Sequence, residues 1–192
     1  MGDRKELGSG TPKPKAVHDE IVAAFRDSHP APVRCYPEDF EPYDDVEASR
    51  LDHNIVNKSW LEVAGDAEYL AGFISEEFFF MTKECFLYFL PGYLLGVITQ
   101  NFASTALVAQ SVLRILGGGD TERPDLFAYL MEKLTTAEKT AIAHWLGLQH
   151  QRAKAGELTR HMAYYCKTAL PKWKEWGAPP PDDAVWSQYP QG

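Results

Sequence analysis

The stretch that decides the fold runs from Cys85 to Leu113 and reads CFLYFLPGYLLGVITQNFASTALVAQSVL. Its 29 residues include no Asp, Glu, Lys or Arg. Such a run must be shielded from water, either inside a folded domain or in a bilayer. It exceeds the ~20 residues that a membrane-crossing helix needs, but its content argues against one. Pro91, Gly92, Gly96, Thr99, Gln100, Asn101 and Ser104 divide it into two pieces. Each piece has the length of a buried globular helix. The flanks lack a clear Lys/Arg asymmetry, and mean hydropathy is -0.32. A water-soluble helical core is therefore expected, and membrane insertion is not.

Within the run, apolar residues cover every face from Cys85 to Ile98, the pattern of a helix buried all round. Thr82 has the side chain and position of its N-cap. Met81 and Phe86 have the spacing of a hydrophobic staple. Pro91 falls inside the helix, where it removes one backbone bond and crowds the carbonyl four residues back. A kink there, or a restart with Pro91 in a first turn, is expected.

Working outward, residues 1–14 are rich in Gly, Pro, Lys and Ser and read as a flexible leader. Val17, Ile21, Ala24 and Phe25 form one stripe of a first helix, roughly Lys15 to Asp27. His29-Pro30-Ala31-Pro32 stops it. Residues 30–50 read as a surface loop, with a short helix near Asp44–Leu51. Asp66 caps a helix over Ala67–Ile74, and Phe78–Phe80 reads as an extended link. A helix over Phe102–Leu116 ends at Gly117-Gly118-Gly119, and another, Pro124–Lys133, opens on proline. Thr135 and Glu138 have capping-box spacing at the head of a long helix. Gly156 interrupts that helix and Pro171 closes its continuation. The domain thus spans 15–176, followed by a Pro-rich, non-helical tail, 177–192. The expected fold is all-α: a compact multi-helix bundle around a buried, proline-kinked central helix.

Net charge is -8, which disfavours nucleic acid as a partner. Glu38, Asp39, Glu41, Asp44, Asp45 and Glu47 form an acidic run without a base inside it. From Arg152 to Lys174 the chain is basic, with Glu157 the lone acid. These read as two solvated faces or as docking patches. The three cysteines, Cys35, Cys85 and Cys166, are widely spaced and fit reduced thiols in a cytoplasmic protein.

Motifs of known chemistry are absent from the sequence: no GxGxxG, P-loop, GxSxG or HExxH. No cofactor or metal site is expected. His144 and His150 fall on poorly matched helix faces. Glu157 and His161 have i,i+4 spacing, which suits a solvated pair better than a metal. Glu76 and Glu77 read as an exposed turn. Cys85 lies in the first turn after Thr82, which favours thiolate weakly, although an inward, inert thiol is the default. Trp173 and Trp176 sit among Lys172, Lys174 and Glu175. They read either as covered by the folded-back tail or as an exposed partner-binding surface, since tryptophan is enriched at binding hot spots.

The run Phe80-Met81-Thr82-Lys83-Glu84-Cys85-Phe86-Leu87-Tyr88-Phe89-Leu90-Pro91-Gly92-Tyr93-Leu94 resembles the signature of a family of small bacterial proteins described as a domain of unknown function. Ala24-Phe25, Trp60 and Leu134-Thr135 are similar to its flanking features, and the resemblance covers roughly residues 16–170. Cys85 stands where that family usually has a small residue, and the region past Gly156 is longer. The resemblance implies a helical fold and supplies no activity. The expected function is protein binding, in an immunity-like or adaptor role. Glu38, Asp39, Asp44 and Asp45 would steer a basic partner, and Trp173 and Trp176 would contribute contact surface. The alternatives are an enzyme using Cys85 or a His/Glu set, and peripheral membrane association.

Overall fold

The computed structural model describes residues 13–37, 51, 53–74, 77–119 and 123–189. Among them there is no β-strand, and the fold is all-α. The acidic run from Glu38 to Glu47, with Asp39, Asp44 and Asp45, lies outside the described residues, as does the leader 1–12.

The first helix, α1 (Pro14–Phe25), carries proline in its first turn and buries Val17, Ile21 and Phe25 at i, i+4, i+8 spacing. α2 (Trp60–Gly65) opens on a full capping box between Ser59 and Glu62. α3 (Ala67–Ala71) is capped by Asp66, whose carboxylate accepts from the Tyr69 N–H, and ends sooner than the apolar pattern suggests. Phe78–Phe80, read from sequence as extended, instead belongs to a one-turn helix, α4 (Glu77–Phe80). The Arg123 guanidinium closes this turn. It donates through Nη1 to the carbonyls of Phe78 at 2.8 Å, Phe79 at 3.1 Å and Met81 at 2.9 Å. A cation on the carbonyl end compensates both the orphan acceptors and the helix dipole.

The central helix, α5 (Lys83–Thr99), starts at Thr82, whose side chain accepts from the Cys85 N–H. It continues without a break through Pro91, so no restart occurs there. The packing explains this tolerance. α1, α2, α3, α6 and α7 all lie against α5, and residues from Cys85 to Val97 are buried on every side except at Tyr88. Tertiary burial outweighs the local cost of one missing backbone bond. Close approach of α2 is possible because Gly92 has no side chain: a Cβ there would stand 2.5 Å from the Trp60 carbonyl oxygen.

Past α5, Phe102–Thr105 form turns, and α6 (Ala106–Leu116) is shorter than expected. It ends in a Schellman arrangement. Gly118 adopts φ +58°, and the N–H groups of Gly118 and Gly119 donate to the Ile115 and Arg114 carbonyls. α7 (Pro124–Lys133) follows, then α8 (Thr136–Lys154), headed by the Thr135/Glu138 capping box. Trp145 of α8 is fully buried and donates its indole N–H to the Leu94 carbonyl of α5 at 3.0 Å. α9 (Arg160–Ala169) runs directly into a 3-10 segment, Leu170–Trp176. The tail is not wholly irregular. α10 (Asp183–Trp186) packs on α8 and α9, and the Gln188 and Tyr189 side chains both donate to the Ala153 carbonyl. One apolar core joins residues from Val17 to Trp186.

Candidate functional site

Burial decides three expectations: it corrects those for Trp173 and Glu77 and bears out the inward thiol at Cys85. Trp173 is no contact surface: it is 0% exposed, and its indole donates to the Leu116 carbonyl at 2.9 Å. Trp176 is half-buried beside it, with the Lys139 ammonium 5.2 Å from its ring. Cys85 is fully buried. Burial pushes its thiol up, and the adjacent Cys35 thiol and Glu84 push the same way, so it is no activated nucleophile. Glu77 does not sit on an exposed turn. It is fully buried and accepts from the Tyr69 hydroxyl at 2.8 Å, which in turn lies 3.0 Å from the Tyr93 hydroxyl. Burial, reinforced for Tyr69 by the Tyr93 and Glu77 charges, pushes both phenols well above their ordinary value. Glu76 lies outside the described residues.

The histidines also separate. His161 opens α9 while Glu157 precedes it outside any helix, so the two share no helix face. His144 pairs with Glu20 at 2.6 Å and ties α8 to α1. His150 is buried against the Trp186 ring, 5.3 Å between centroids. No group of three or more His, Cys, Asp or Glu is placed to hold a metal among the described residues. Among them, no helix is long and apolar enough to cross a membrane.

The strap that follows α1, residues 26–37, is an arrangement in which cavity, charge and exposed apolar surface coincide. It is pinned at two points. Near its start, His29 Nε2 lies 2.8 Å from Glu138 Oε1 at the head of α8. Near its end, the Cys35 carbonyl accepts from the Thr82 N–H at 2.9 Å, at the head of α5. Both anchors are helix N-termini, where free N–H groups and capping side chains are available. Glu138 is 0% exposed and already accepts from the Thr135 N–H at 2.7 Å. Burial pushes its carboxyl up, but the facing His29 imidazole, the nearby Ser28 hydroxyl and the Thr135 N–H outweigh that and hold it below the usual glutamate range.

Between the pins the strap stands away from α2 and α5. A cavity of about 520 Å³ opens beside Val22, Arg26, Asp27, His29, Trp60, Leu61 and Tyr88. A second, of about 320 Å³, lies beside Val33, Arg34, Cys35, Asn57, Lys58 and Phe89. The two share Ala31, Ser59 and Tyr88 in their walls, so they adjoin, and together they make up a groove along the strap. Asn57 adopts φ 66°, the left-handed conformation that asparagine tolerates best after glycine. It turns the chain so that Lys58 pairs with Asp66 at 2.9 Å, leaving Ser59 and Glu62 to cap α2. Two large apolar side chains stand out at the rim, Val33 at 102% and Leu61 at 53% exposure.

Sequence reasoning did not reach this groove. The local signals were there, in the His-Pro-Ala-Pro break and the Ser59 cap. Their juxtaposition depends on contacts between residues far apart in the chain.

Compared with known proteins, the chain matches no family model, no curated protein and no solved structure.

Proposed function

We propose that this protein is a cytoplasmic binding domain that takes an extended segment of another protein into the groove between the strap 26–37 and α2. The observation that carries the reading is that the two cavities adjoin, sharing Ala31, Ser59 and Tyr88, with Val33 and Leu61 exposed beside them. A groove with an apolar floor and a polar edge suits a segment that inserts a large side chain and leaves its backbone at the rim. The partner is basic. The chain carries -8 overall, and the acidic residues Glu38, Asp39, Asp44 and Asp45 begin immediately after the strap in sequence. Their field would steer positive charge toward the groove. Tyr88, half-buried, supplies aromatic surface in place of Trp173 and Trp176.

Selection from a displayed peptide library tests this. Enriched peptides are expected to combine one large apolar residue with flanking Lys or Arg. Leu61→Asp should weaken their binding about tenfold or more, whereas Leu107→Asp, a comparably exposed leucine on α6, should not. Peptides that bind both variants alike would remove the groove as the site.

A second reading rests on the His29–Glu138 pair. A buried carboxylate that orients an imidazole at a cavity wall is the arrangement of a general base with its positioning group. It predicts hydrolysis of an activated ester that is lost in His29→Gln, and unchanged background hydrolysis in that variant would reject it.

A further inference from the structure

Residues 183–189 lie over the end of α8, with a buried histidine beneath them. Val185 and Trp186 of α10 are buried, and the Gln188 and Tyr189 side chains donate to the Ala153 carbonyl at 2.8 and 3.0 Å. The tail reaches this place through Pro179-Pro180-Pro181, which lie outside any helix and have no N–H to anchor them. Against Trp186 sits His150, 4% exposed, with ring centroids 5.3 Å apart. Among the described residues, His150 Nδ1 and Trp186 Nε1 are both buried without a hydrogen-bond partner. A neutral imidazole can leave Nδ1 as a bare lone pair. Protonation would put a charge and an unmatched N–H there.

The charged groups near this contact come from the elements that meet there. Lys154, one turn on along α8, pairs with Asp182 of the tail at 3.6 Å. Asp183 and, from α9, Lys167 border a cleft of about 290 Å³ that Trp186 also lines. Arg152 turns to α5, donating to the Val97 carbonyl at 3.2 Å. α1 and the 3-10 segment meet α8 earlier along it, through Glu20 with His144 and Trp176 with Lys139. Burial pushes the Tyr189 phenol and the Cys166 thiol up, so both stay neutral.

We propose that residues 182–189 are a proton-operated latch: protonation of His150 releases Trp186 and uncovers the surface of α8 and α9 beneath it. Burial, reinforced by Lys154 and opposed by Asp182, holds the imidazole below its ordinary range. The docked tail therefore binds this proton more weakly than the released tail does. Docking is strongest above the ordinary histidine value of about 6.5 and weakens as pH falls below it. Release is local, because the proline linker lets the tail leave while α8 and α9 keep their own packing. The latch is independent of the strap and its groove.

The test is a pH titration of the full chain followed by NMR. The His150 ring shifts should report a titration below the ordinary histidine value. Over the same span, cross-relaxation between the His150 and Trp186 rings should be lost and residues 183–189 should gain fast backbone motion, while the signals of α5 stay unchanged. In His150→Phe, which keeps an aromatic ring against the indole, the tail should stay docked across that span. A His150 that titrates at or above the ordinary value, or a tail that stays docked throughout the titration, would overturn the latch. So would a tail lost only together with the α5 signals, which is global acid unfolding, or one released identically in His150→Phe. If that variant fails to fold, the wild-type titration alone decides, because the ring shifts and the tail signals must share one midpoint.

Discussion

The central helix meets two kinds of surroundings, and Tyr93 and Tyr88 mark them. Tyr93 is fully enclosed. Its ring packs against Phe73, Phe78 and Tyr69, and its hydroxyl joins the Tyr69–Glu77 chain of hydrogen bonds. Tyr88 lies well round the same helix and looks into the groove, with both cavities touching it. Around Tyr93, the two phenol hydroxyls find partners within the protein and the aromatic rings interlock, which serves stability and a single packing. Around Tyr88, two cavities open beside the strap and the large apolar side chains of Val33 and Leu61 are left exposed. One helix thus separates a region built for folding from a region available for binding.

Substitutions can sharpen that contrast. On the enclosed side the largest effect is expected from Trp145→Ala, which removes a fully buried ring and its bond to the Leu94 carbonyl. A loss of about 3–5 kcal/mol should appear in urea unfolding. Gly92→Ala should cost about 1–3 kcal/mol by overpacking, because the obstacle is the Trp60 backbone. Gly96→Ala meets only the Leu70 side chain, which can turn aside, so its cost should be smaller. If the two glycine variants prove equally stable, the close approach of α2 to α5 is wrong.

At the strap's first anchor, Glu138→Gln should cost about 1–3 kcal/mol, since charge-assisted hydrogen bonds become neutral ones. The same group gives a pH signature. Its folded value is depressed, so its stabilisation is complete above the ordinary glutamate range and disappears as pH falls through the folded value. Acid unfolding of the wild type should therefore be steeper than that of Glu138→Gln, and coincident curves would deny the anchor. Thr82→Ala should cost about 1 kcal/mol, the typical value of a lost N-cap. The smallest effect belongs to the groove rim. Leu61→Asp should leave stability within about 0.5 kcal/mol of wild type, although it removes peptide binding. A large stability loss there would erase the distinction between the two sides.

Much of the enclosed side was legible in the chain. Thr82, Asp66 and the Thr135/Glu138 pair announce helix starts because capping is local chemistry over three or four residues. The uncharged run from Cys85 announces a buried helix because no other environment in water suits it. The misreadings share one cause. Phe78–Phe80 is helical because Arg123 gathers its carbonyls from a distant part of the chain. Trp173, surrounded by charged neighbours, still turns into the core, because a 3-10 segment rotates its side chain toward α6. Glu77 is buried because Tyr69 meets it.

What the chain alone determined is the helical class, the position of the core helix and most helix starts, since hydrophobic periodicity and capping act within a few residues. The tertiary structure decided which aromatics are enclosed, where the strap is pinned and that a groove opens beside Tyr88. Those outcomes depend on pairs such as His29 with Glu138 and Cys35 with Thr82. Such pairs meet only when helices pack, and no local preference encodes a distance between residues so far apart along the backbone.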